Sequence, residues 1–424
     1  MSSEKKTNRR DFLKTGAAAG TLAAGWTAAS AQRVMGANDS IRIGIIGCGG
    51  RGAHHMGWIH RASQEVPAKI VAVCDVWDQQ VERAAAFVQE RFGGEQARYR
   101  DHRKLLESRD IDAVLIATPD HLHCPHLMDA VRAGKDAYVE KPIAIDLDVL
   151  NQTCDVVKAS GQIVQHGTQG RSSKGAAATR AFIQSGQLGK ILRVEESRSH
   201  YNPYWNNYKG PESEDHTRWP AFLDNRPYRP FNSDQHGAWM GYLDFSNGTV
   251  GGWMSHFSDF LHYCTGCGFP RFATGHGGVY SPTSKEGRTC PDTITVILDY
   301  EEGFTTSYTT HFGNAANDYT LIFGTKGTMR IDMPDGNDKN GINPRVSGEG
   351  SEHPEKVKEG TILEEIKQDD HMVNWLKSMR DCKQPNADMD KGYMQGVAVI
   401  LGDMACVKRR MMTFDPVNRE IRPA

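Results

Sequence analysis

The chain has 424 residues, of which 38% are apolar and 24% charged, as in ordinary globular proteins. Its 50 basic and 52 acidic residues nearly balance, which argues against a nucleic-acid-binding or lipid-binding protein, because either would need a clustered basic excess. No apolar run reaches the ~18 residues that a membrane-spanning helix needs, and the length predicts two domains, or three at most.

The N-terminal residues have the pattern of an export signal. Asn8 to Lys14 read Asn-Arg-Arg-Asp-Phe-Leu-Lys, a weakly apolar stretch runs from Thr15 to Ala29, and Ala29-Ser30-Ala31 offers small residues for a signal peptidase. The pattern resembles a twin-arginine signal, with a disordered basic tail as the alternative. We therefore predict a signal peptide over residues 1–31, export by the twin-arginine machinery without stable membrane insertion, and a periplasmic or other extracytoplasmic location.

A dinucleotide-binding pattern follows. Ile41 to Ile46 is a short β-branched run typical of a buried parallel strand, and it leads into Gly47-Cys48-Gly49-Gly50-Arg51-Gly52 and a helix-compatible stretch from Ala53 to Ala62. In a G-x-G-x-x-G motif the three glycines allow a tight turn, a close approach of the backbone to a pyrophosphate, and close packing of helix on strand. The helix N-terminus then faces the phosphates with free N–H groups.

An acidic residue strengthens this interpretation. A second strand, Ile70 to Cys74, ends in Asp75, which lies 23 residues after Gly52. A carboxylate at this distance accepts hydrogen bonds from the ribose hydroxyls of the adenosine. Because it would repel a 2′-phosphate, the sequence predicts NAD as cofactor, with NADP less favoured.

The alternation of strands and helices continues over Asp112 to Ala117 (strand), His126 to Gly134 (helix) and Asp136 to Val139 (strand). It predicts a parallel sheet whose ligand site lies at the carboxyl ends of the strands. Two polar segments follow those ends, Thr118-Pro119-Asp120-His121-Leu122-His123 and Glu140-Lys141-Pro142.

With these segments, the chain resembles the glucose–fructose oxidoreductase, inositol dehydrogenase and rhizopine-catabolism (Gfo/Idh/MocA) family, most strongly from Ile41 to Gln169. The resemblance implies that Lys141 contacts the nicotinamide end and the substrate and assists proton transfer, and that the following proline is often in a cis bond. A partly buried lysine near another cation has a lowered pKa and can shuttle protons near neutral pH. The resemblance also implies that Arg171 lies near the nicotinamide. The residues predicted to bind the dinucleotide are Gly47, Gly49, Gly50, Arg51, Gly52, Asp75, Thr118, Pro119, His123, Glu140, Lys141 and Gln169.

The predicted organisation is α/β, with a Rossmann domain over residues 40–165. An α+β domain with an open-faced, mainly antiparallel sheet follows over residues 166–424. The sheet often mediates oligomer contacts in the family, so a homo-oligomer (dimer or tetramer) is expected. Period-two alternation predicts two hairpins, residues 337–360 read as an exposed polar loop, and the last helix reads as amphipathic. The predicted ranges are Asp292–Tyr300 with Phe304–Phe312, Tyr319–Phe323 with Gly327–Asp332, and Gly392–Arg410 for the helix.

Candidate catalytic side chains of the second domain follow Gly251-Gly252. In sugar and inositol dehydrogenases of the family, a Gly-Gly here precedes a helix with an Asp and, four residues later, a His. This chain departs from that pattern, with His256, Asp259 and His262 spaced so that they share one side of a helix. Asp259 could orient either imidazole, and no metal is predicted. The departure leaves the catalytic roles of the three residues open.

The sequence leaves two interpretations open for an aromatic segment and two for a pair of cysteines. The segment from Trp205 to Tyr242 is rich in Trp, Tyr and His, which suits either the faces of a sugar or packing between the domains. Among nine irregularly spaced cysteines, Cys264 and Cys267 form the one close pair, read as buried core thiols or as an oxidised pair.

The function expected from these features is that of an NAD-dependent oxidoreductase acting on CH–OH groups of a sugar, polyol or sugar derivative, with a tightly bound cofactor recycled in place. The first alternative is a redox-neutral glycosidase or lyase, in which transient oxidation permits elimination and the hydride then returns. The second alternative is a non-catalytic sugar-binding or sensing protein, against which the intact Asp75 and Lys141 argue.

Overall fold

Short apolar strands build the first half of the chain. In the computed structural model, which describes residues 39–316, 318–332, 343–350, 357 and 361–424, six strands form a parallel sheet in the order β3-β2-β1-β4-β5-β6. The predicted signal peptide lies outside the described residues. The strands are β1 (Ile41–Ile46), β2 (Ala68–Cys74), β3 (Ala97–Tyr99), β4 (Ala113–Ile116), β5 (Asp136–Val139) and β6 (Val164–His166).

Helices cover this sheet. Several begin at a side chain that accepts a hydrogen bond from a backbone N–H of the first turn, such as Asp146 and Ser173. Helix α1 begins inside the glycine motif, three residues before the predicted start. The helices are α1 (Gly50–Ala62), α2 (Asp78–Phe92), α3 (His102–Leu106), α4 (His123–Arg132), α5 (Leu147–Ser160) and α6 (Lys174–Gln184).

The second half is built on a ten-stranded sheet in the order β14-β13-β12-β11-β7-β10-β9-β8-β15-β16. Its pairings are antiparallel except for the parallel pair β7 and β10, so the predicted fold class is confirmed. The strands are β7 (Ile191–His200), β8 (Pro270–Gly278), β9 (Thr293–Tyr300), β10 (Phe304–Phe312), β11 (Tyr319–Gly324), β12 (Thr328–Asp332), β13 (Asn343–Ser347), β14 (Thr361–Ile362), β15 (Met412–Asp415) and β16 (Glu420–Pro423).

Five helices accompany this sheet: α7 (Trp219–Leu223), α8 (Ser233–Gly237), α9 (Ser255–Thr265), α10 (His371–Asp381) and α11 (Met389–Val407). A π-helical turn, Val250–Met254, runs directly into α9. No helix among the described residues is long and apolar enough to cross a membrane.

Helix α11 joins the two halves. Three of its glycines stand where a Cβ atom would come within 3 Å of a neighbour, with Gly392 and Gly396 meeting Ile143 and Gly402 meeting Val296. The helix can therefore approach the parallel sheet's loops on one side and the antiparallel sheet on the other. Most of its residues are buried, and they belong to one hydrophobic core that extends through both halves.

Two predictions about this half need correction. The last helix was expected to be amphipathic, but α11 is buried on nearly every side because both sheets pack against it. The predicted polar loop of residues 337–360 contains strand β13, which pairs with β12 and β14; residues 337–342, 351–356 and 358–360 lie outside the described residues. Cys264 and Cys267 are free, buried thiols.

Candidate active site

A cavity of about 890 Å³ lies where the carboxyl ends of the parallel strands face the second sheet. The first half lines it with the glycine motif and with the segments after β2, β4 and β5. The second half contributes the end of β7 and the residues around the start of α9. A volume of this size is in the range of ligand pockets, and its place is where open parallel sheets bind nucleotides.

The glycine motif has the geometry that a bound dinucleotide needs. Gly47 has φ +90°, and a Cβ atom there would lie 2.6 Å from the Ala117 carbonyl. A Cβ atom on Gly52 would lie 2.0 Å from the Gly47 carbonyl oxygen, whereas one on Gly49 would meet nothing within 4 Å. Two glycines are therefore required by packing, and Gly49 leaves open space at the N-terminus of α1, where a phosphate would bind.

We expect Gly52→Ala to lower NAD affinity at least tenfold and to destabilise the fold by about 1–3 kcal/mol, because the helix must move away from the turn. Gly57, on the same helix, is the matched control, since a Cβ atom there meets nothing. Gly57→Ala should raise stability by about 0.5–1 kcal/mol. Calorimetric NAD titration and urea unfolding measure both effects, and equal behaviour of the two variants would contradict the packing argument.

Asp75 holds the end of the glycine turn. Its Oδ2 accepts a hydrogen bond from the Cys48 N–H (2.7 Å), and its Oδ1 accepts one from the Trp77 N–H (2.9 Å). Burial raises the pKa of Asp75 to about 6, and these backbone N–H groups oppose that rise. The carboxylate lines the cavity at the predicted ribose position.

We expect NAD to bind at least about tenfold more tightly than NADP, because a 2′-phosphate beside the Asp75 carboxylate would cost more than about 1.4 kcal/mol. Titration of cofactor-free protein with each dinucleotide measures the ratio. Asp75→Asn should reduce this preference for NAD over NADP. Equal affinities for the two dinucleotides in the wild-type protein would contradict the role assigned to Asp75.

Glu140 is the centre of a buried hydrogen-bond network. Its Oε1 lies 2.6 Å from His55 Nε2 and accepts a bond from Gln169 Nε2 (3.0 Å), and its Oε2 accepts one from the Lys141 N–H (3.0 Å). Burial alone would raise the pKa of Glu140, but the Arg51 guanidinium and His55 hold it well below its usual range. Glu140 therefore orients the main chain at Lys141 as a fixed anion.

Lys141 bridges the two halves of the cavity. Its Nζ donates a hydrogen bond to the Gly252 carbonyl (2.9 Å), and the Lys141–Pro142 peptide bond is cis. Burial and the nearby Arg51 guanidinium lower the pKa of Lys141, while Glu140 and Asp120 oppose them. A lysine with a lowered pKa can hold or release a proton near neutral pH.

Thr118, Pro119 and His123 line the cavity beside the glycine turn. The buried Thr118 Oγ1 has no hydrogen-bond partner among the described residues. Both ring nitrogens of His123 face carbonyl oxygens, Nδ1 that of Pro142 (2.6 Å) and Nε2 that of Thr118 (2.9 Å). His123 thus ties the segment after β4 to the one after β5, and the free Thr118 hydroxyl is available to a ligand.

The three candidate catalytic residues of α9, His256, Asp259 and His262, do not meet in one place. His256 lines the cavity, and burial, together with Lys141 and Arg51, lowers its pKa well below the usual value. Asp259 is buried in an ion pair with Arg171 (2.7 Å), and His262 Nε2 lies 3.3 Å from the Tyr300 hydroxyl. His256 is therefore a neutral base at the site, whereas Asp259, His262 and Arg171 face the protein interior.

Some residues of the aromatic segment from Trp205 to Tyr242 pack in the core, and others line the cavity. Trp205 and Trp219 are fully buried and fill space in the core. Tyr208 and Trp239 line the cavity, as does Tyr204 directly before the segment, so these three side chains are available to a substrate.

Asp120 and Arg198 are among the cavity residues to which the sequence assigned no individual role. Asp120 follows β4, is 5% exposed and accepts a hydrogen bond from Ser246 Oγ (2.7 Å). Arg198, at the end of β7, is held by Glu196 through a 3.1 Å bond to its Nε. The position of Asp120 could have been found from the sequence, since it follows a strand whose neighbour leads to Lys141.

Comparison with known proteins decides the family. Residues 41–168 match the model described as "Oxidoreductase family, NAD-binding Rossmann fold", and residues 180–395 match "Oxidoreductase family, C-terminal alpha/beta domain", the two Gfo/Idh/MocA models. The chain belongs to the Gfo/Idh/MocA family. Its dinucleotide site binds NAD, which fits the open space at Gly49, the Asp75 carboxylate and the unpartnered Thr118 hydroxyl.

Some relatives of the chain are named as glycosyl hydrolases and others as dehydrogenases. Glycosyl hydrolase family 109 protein 2 of Shewanella sp. (strain ANA-3) is 31% identical over 220 residues, 46% of this chain and 46% of that protein. Inositol 2-dehydrogenase of Pseudomonas syringae pv. syringae (strain B728a) is 32% identical over 173 residues, 40% of this chain and 49% of that protein. The chain thus spans about half the length of these curated relatives.

Solved Gfo/Idh/MocA-like structures share the fold over most of the chain. A levoglucosan dehydrogenase in complex with NADH and levoglucosan superposes with a TM-score of 0.67 at 17% identity, covering 88% of this chain and 99% of that one. The WlbA dehydrogenase from Bordetella pertussis, in complex with NADH and UDP-GlcNAcA, gives a TM-score of 0.64 at 17% identity, covering 89% and 99%.

Proposed function

We propose that the protein is an NAD-dependent oxidoreductase that acts on a CH–OH group of a sugar, polyol or sugar derivative. The observation that carries the proposal is the position of Lys141, which follows the dinucleotide site on β5 and reaches across the cavity to Gly252 beside α9. NAD, when bound in this site, would supply the hydride acceptor. The names of the inositol and levoglucosan dehydrogenases support a polyhydroxylated substrate.

Each group of cavity residues has a separate role in the proposed reaction. Glu140 fixes the backbone of Lys141, whose Nζ takes the proton of the substrate hydroxyl when it is neutral. His256, which also lines the cavity and interacts electrostatically with Lys141, is a second base. The cavity-lining Tyr204, Tyr208 and Trp239 offer aromatic faces and hydroxyl groups to the sugar ring.

A second candidate function rests on the glycosyl hydrolase family 109 relatives. In a redox-neutral glycosidase or lyase, oxidation of one carbon acidifies the neighbouring C–H, a base removes that proton, and the hydride is returned after the glycosidic bond breaks. Two bases, Lys141 and His256, then serve two proton transfers, one from oxygen and one from carbon.

The two candidates differ in stoichiometry. The purified protein is incubated with NAD and a panel of sugars, polyols and aryl glycosides, and both NADH absorbance and product mass are followed. NADH that accumulates with an oxidised product supports the dehydrogenase. An eliminated or hydrolysed product without NADH supports the redox-neutral enzyme, and binding without any conversion would refute both in favour of a sensing protein.

We further propose that the protein is exported by the twin-arginine pathway with its cofactor already bound. An exported enzyme meets essentially no free NAD, so its cofactor must be restored within each cycle, by a second substrate or by return of the hydride to the same one. Protein purified from the periplasm and denatured should release about one NAD or NADH per chain. An empty supernatant, with rapid exchange of added NAD, would leave an ordinary dissociable dehydrogenase.

A further inference from the structure

Two carboxylates lie close enough to Lys141 to raise its pKa, Glu140 and Asp120. Glu140 is fully engaged, because His55, Gln169 and the Lys141 N–H bind its two oxygens. Both of its oxygens therefore hold the structure at the end of β5.

Asp120 is differently placed. Its Oδ2 accepts the single hydrogen bond from Ser246 Oγ (2.7 Å), and its Oδ1 has no hydrogen-bond partner among the described residues. The residue lines the cavity although it is only 5% exposed. Strands β4 and β5 are paired up to Ile116 and Val139, so the segments that follow them carry Asp120 and Lys141 to the same edge of the sheet.

The carboxylate expected from the α9 sequence is occupied elsewhere. Asp259 forms a buried ion pair with Arg171, and neither residue lines the cavity. The site therefore keeps the bases Lys141 and His256 but receives no carboxylate from α9.

We propose that Asp120 supplies the carboxylate that α9 does not: it is a positioning residue that stabilises the ammonium form of Lys141 after Lys141 has taken the substrate proton. The inference rests on the proposed oxidoreductase function. In the step concerned, the substrate O–H bond breaks and an N–H bond forms at Lys141 Nζ, and NAD⁺ held in the dinucleotide site would accept the hydride of the same carbinol carbon. The charge of the Asp120 anion then stabilises the new ammonium, and the proton leaves through the cavity.

The charges around the pair support this arrangement. Arg51 lowers the pKa of Lys141, and Asp120 counteracts it. Burial raises the pKa of Asp120 to about 7, against the opposing Ser246 bond and Lys141 charge, so above that pH the anion is present when the ammonium forms. The other ionisable groups that interact with Asp120 are Glu140, Tyr204 and Cys290.

The test titrates Lys141 directly and needs no substrate. The NAD-loaded protein is treated with acetic anhydride over a range of pH, and acetylation of the Lys141 peptide is measured by mass spectrometry. Asp120→Asn should lower the pH midpoint of Lys141 by about one unit, because the anion that favours the ammonium is gone. Ser246→Ala should lower it by less, and Asp120→Glu should restore it in part.

Asp244→Asn is the matched control, since Asp244 is an exposed carboxylate paired with Arg229, and it should leave the midpoint unchanged. An unchanged midpoint in both Asp120→Asn and Ser246→Ala overturns the inference even if sugars are oxidised normally. Conversely, failure to oxidise any sugar refutes the proposed function and leaves this titration valid. With an active sugar, Asp120→Asn should shift the pH profile of kcat in parallel, without a change in the KM for NAD.

Discussion

Replacing Lys141 by alanine is expected to lower kcat by about 10²- to 10⁴-fold, the usual contribution of a positioned proton-transfer group. The NAD affinity should remain, because the glycine turn and Asp75, which supply the predicted pyrophosphate and ribose contacts, are unchanged. Steady-state kinetics and calorimetric NAD titration measure the two quantities on the same preparation. Lys104→Ala, an exposed lysine paired with Glu107, is the control and should behave as the wild type.

Turnover within tenfold of the wild-type rate in Lys141→Ala would contradict the role of this lysine. His256→Ala then separates the two bases. A loss comparable to that of Lys141→Ala makes His256 part of the chemistry, whereas a near-normal rate makes it a wall of the cavity. If the rate is near normal, the cavity-lining aromatic residues become the next candidates for the second proton-transfer group, and Tyr204 would be replaced first.

The Asp259→Ala substitution is expected to reduce the free energy of unfolding by about 3–5 kcal/mol, because it leaves the Arg171 guanidinium buried without its partner. The side chain of Asp259 is 2% exposed and that of Arg171 is 5% exposed. Urea unfolding measures the loss. The combined replacement Arg171→Met with Asp259→Leu should recover most of it, since two apolar side chains leave no unpaired charge.

This result would separate a structural aspartate from a catalytic one. If Asp259 acts only in the interior, the double variant should also retain turnover. An Asp259→Ala protein that unfolds like the wild type but has lost its activity would instead return Asp259 to the catalytic group.

The cofactor half of the site could be predicted from the sequence because its information is local. Gly47, Gly52 and Asp75 follow each other along one strand, turn, helix and strand, and each has a steric or charge requirement that spacing alone reveals. The parallel sheet and the two hairpins could also be predicted, because the apolar residues of their strands follow regular patterns along the sequence.

The substrate half depends on tertiary packing, which the sequence does not display. A helical wheel places His256, Asp259 and His262 relative to each other but does not say which of them faces the cavity. Helix α9 is buried on most sides, so its polar residues find different partners. The segment that contains Asp120 was placed at the strand ends, but no periodic pattern distinguishes its one carboxylate from the neighbouring polar residues.

Helix α11 has a consequence for how the protein melts. Its glycines bring it against Ile143 on one side and Val296 on the other, and the same continuous core contains all of these contacts. Neither sheet can lose its packing without exposing the helix that also supports the other. Residues 40–424 should therefore unfold in one cooperative calorimetric transition, and binding of NAD to the first half should stabilise the distant antiparallel sheet to the same extent.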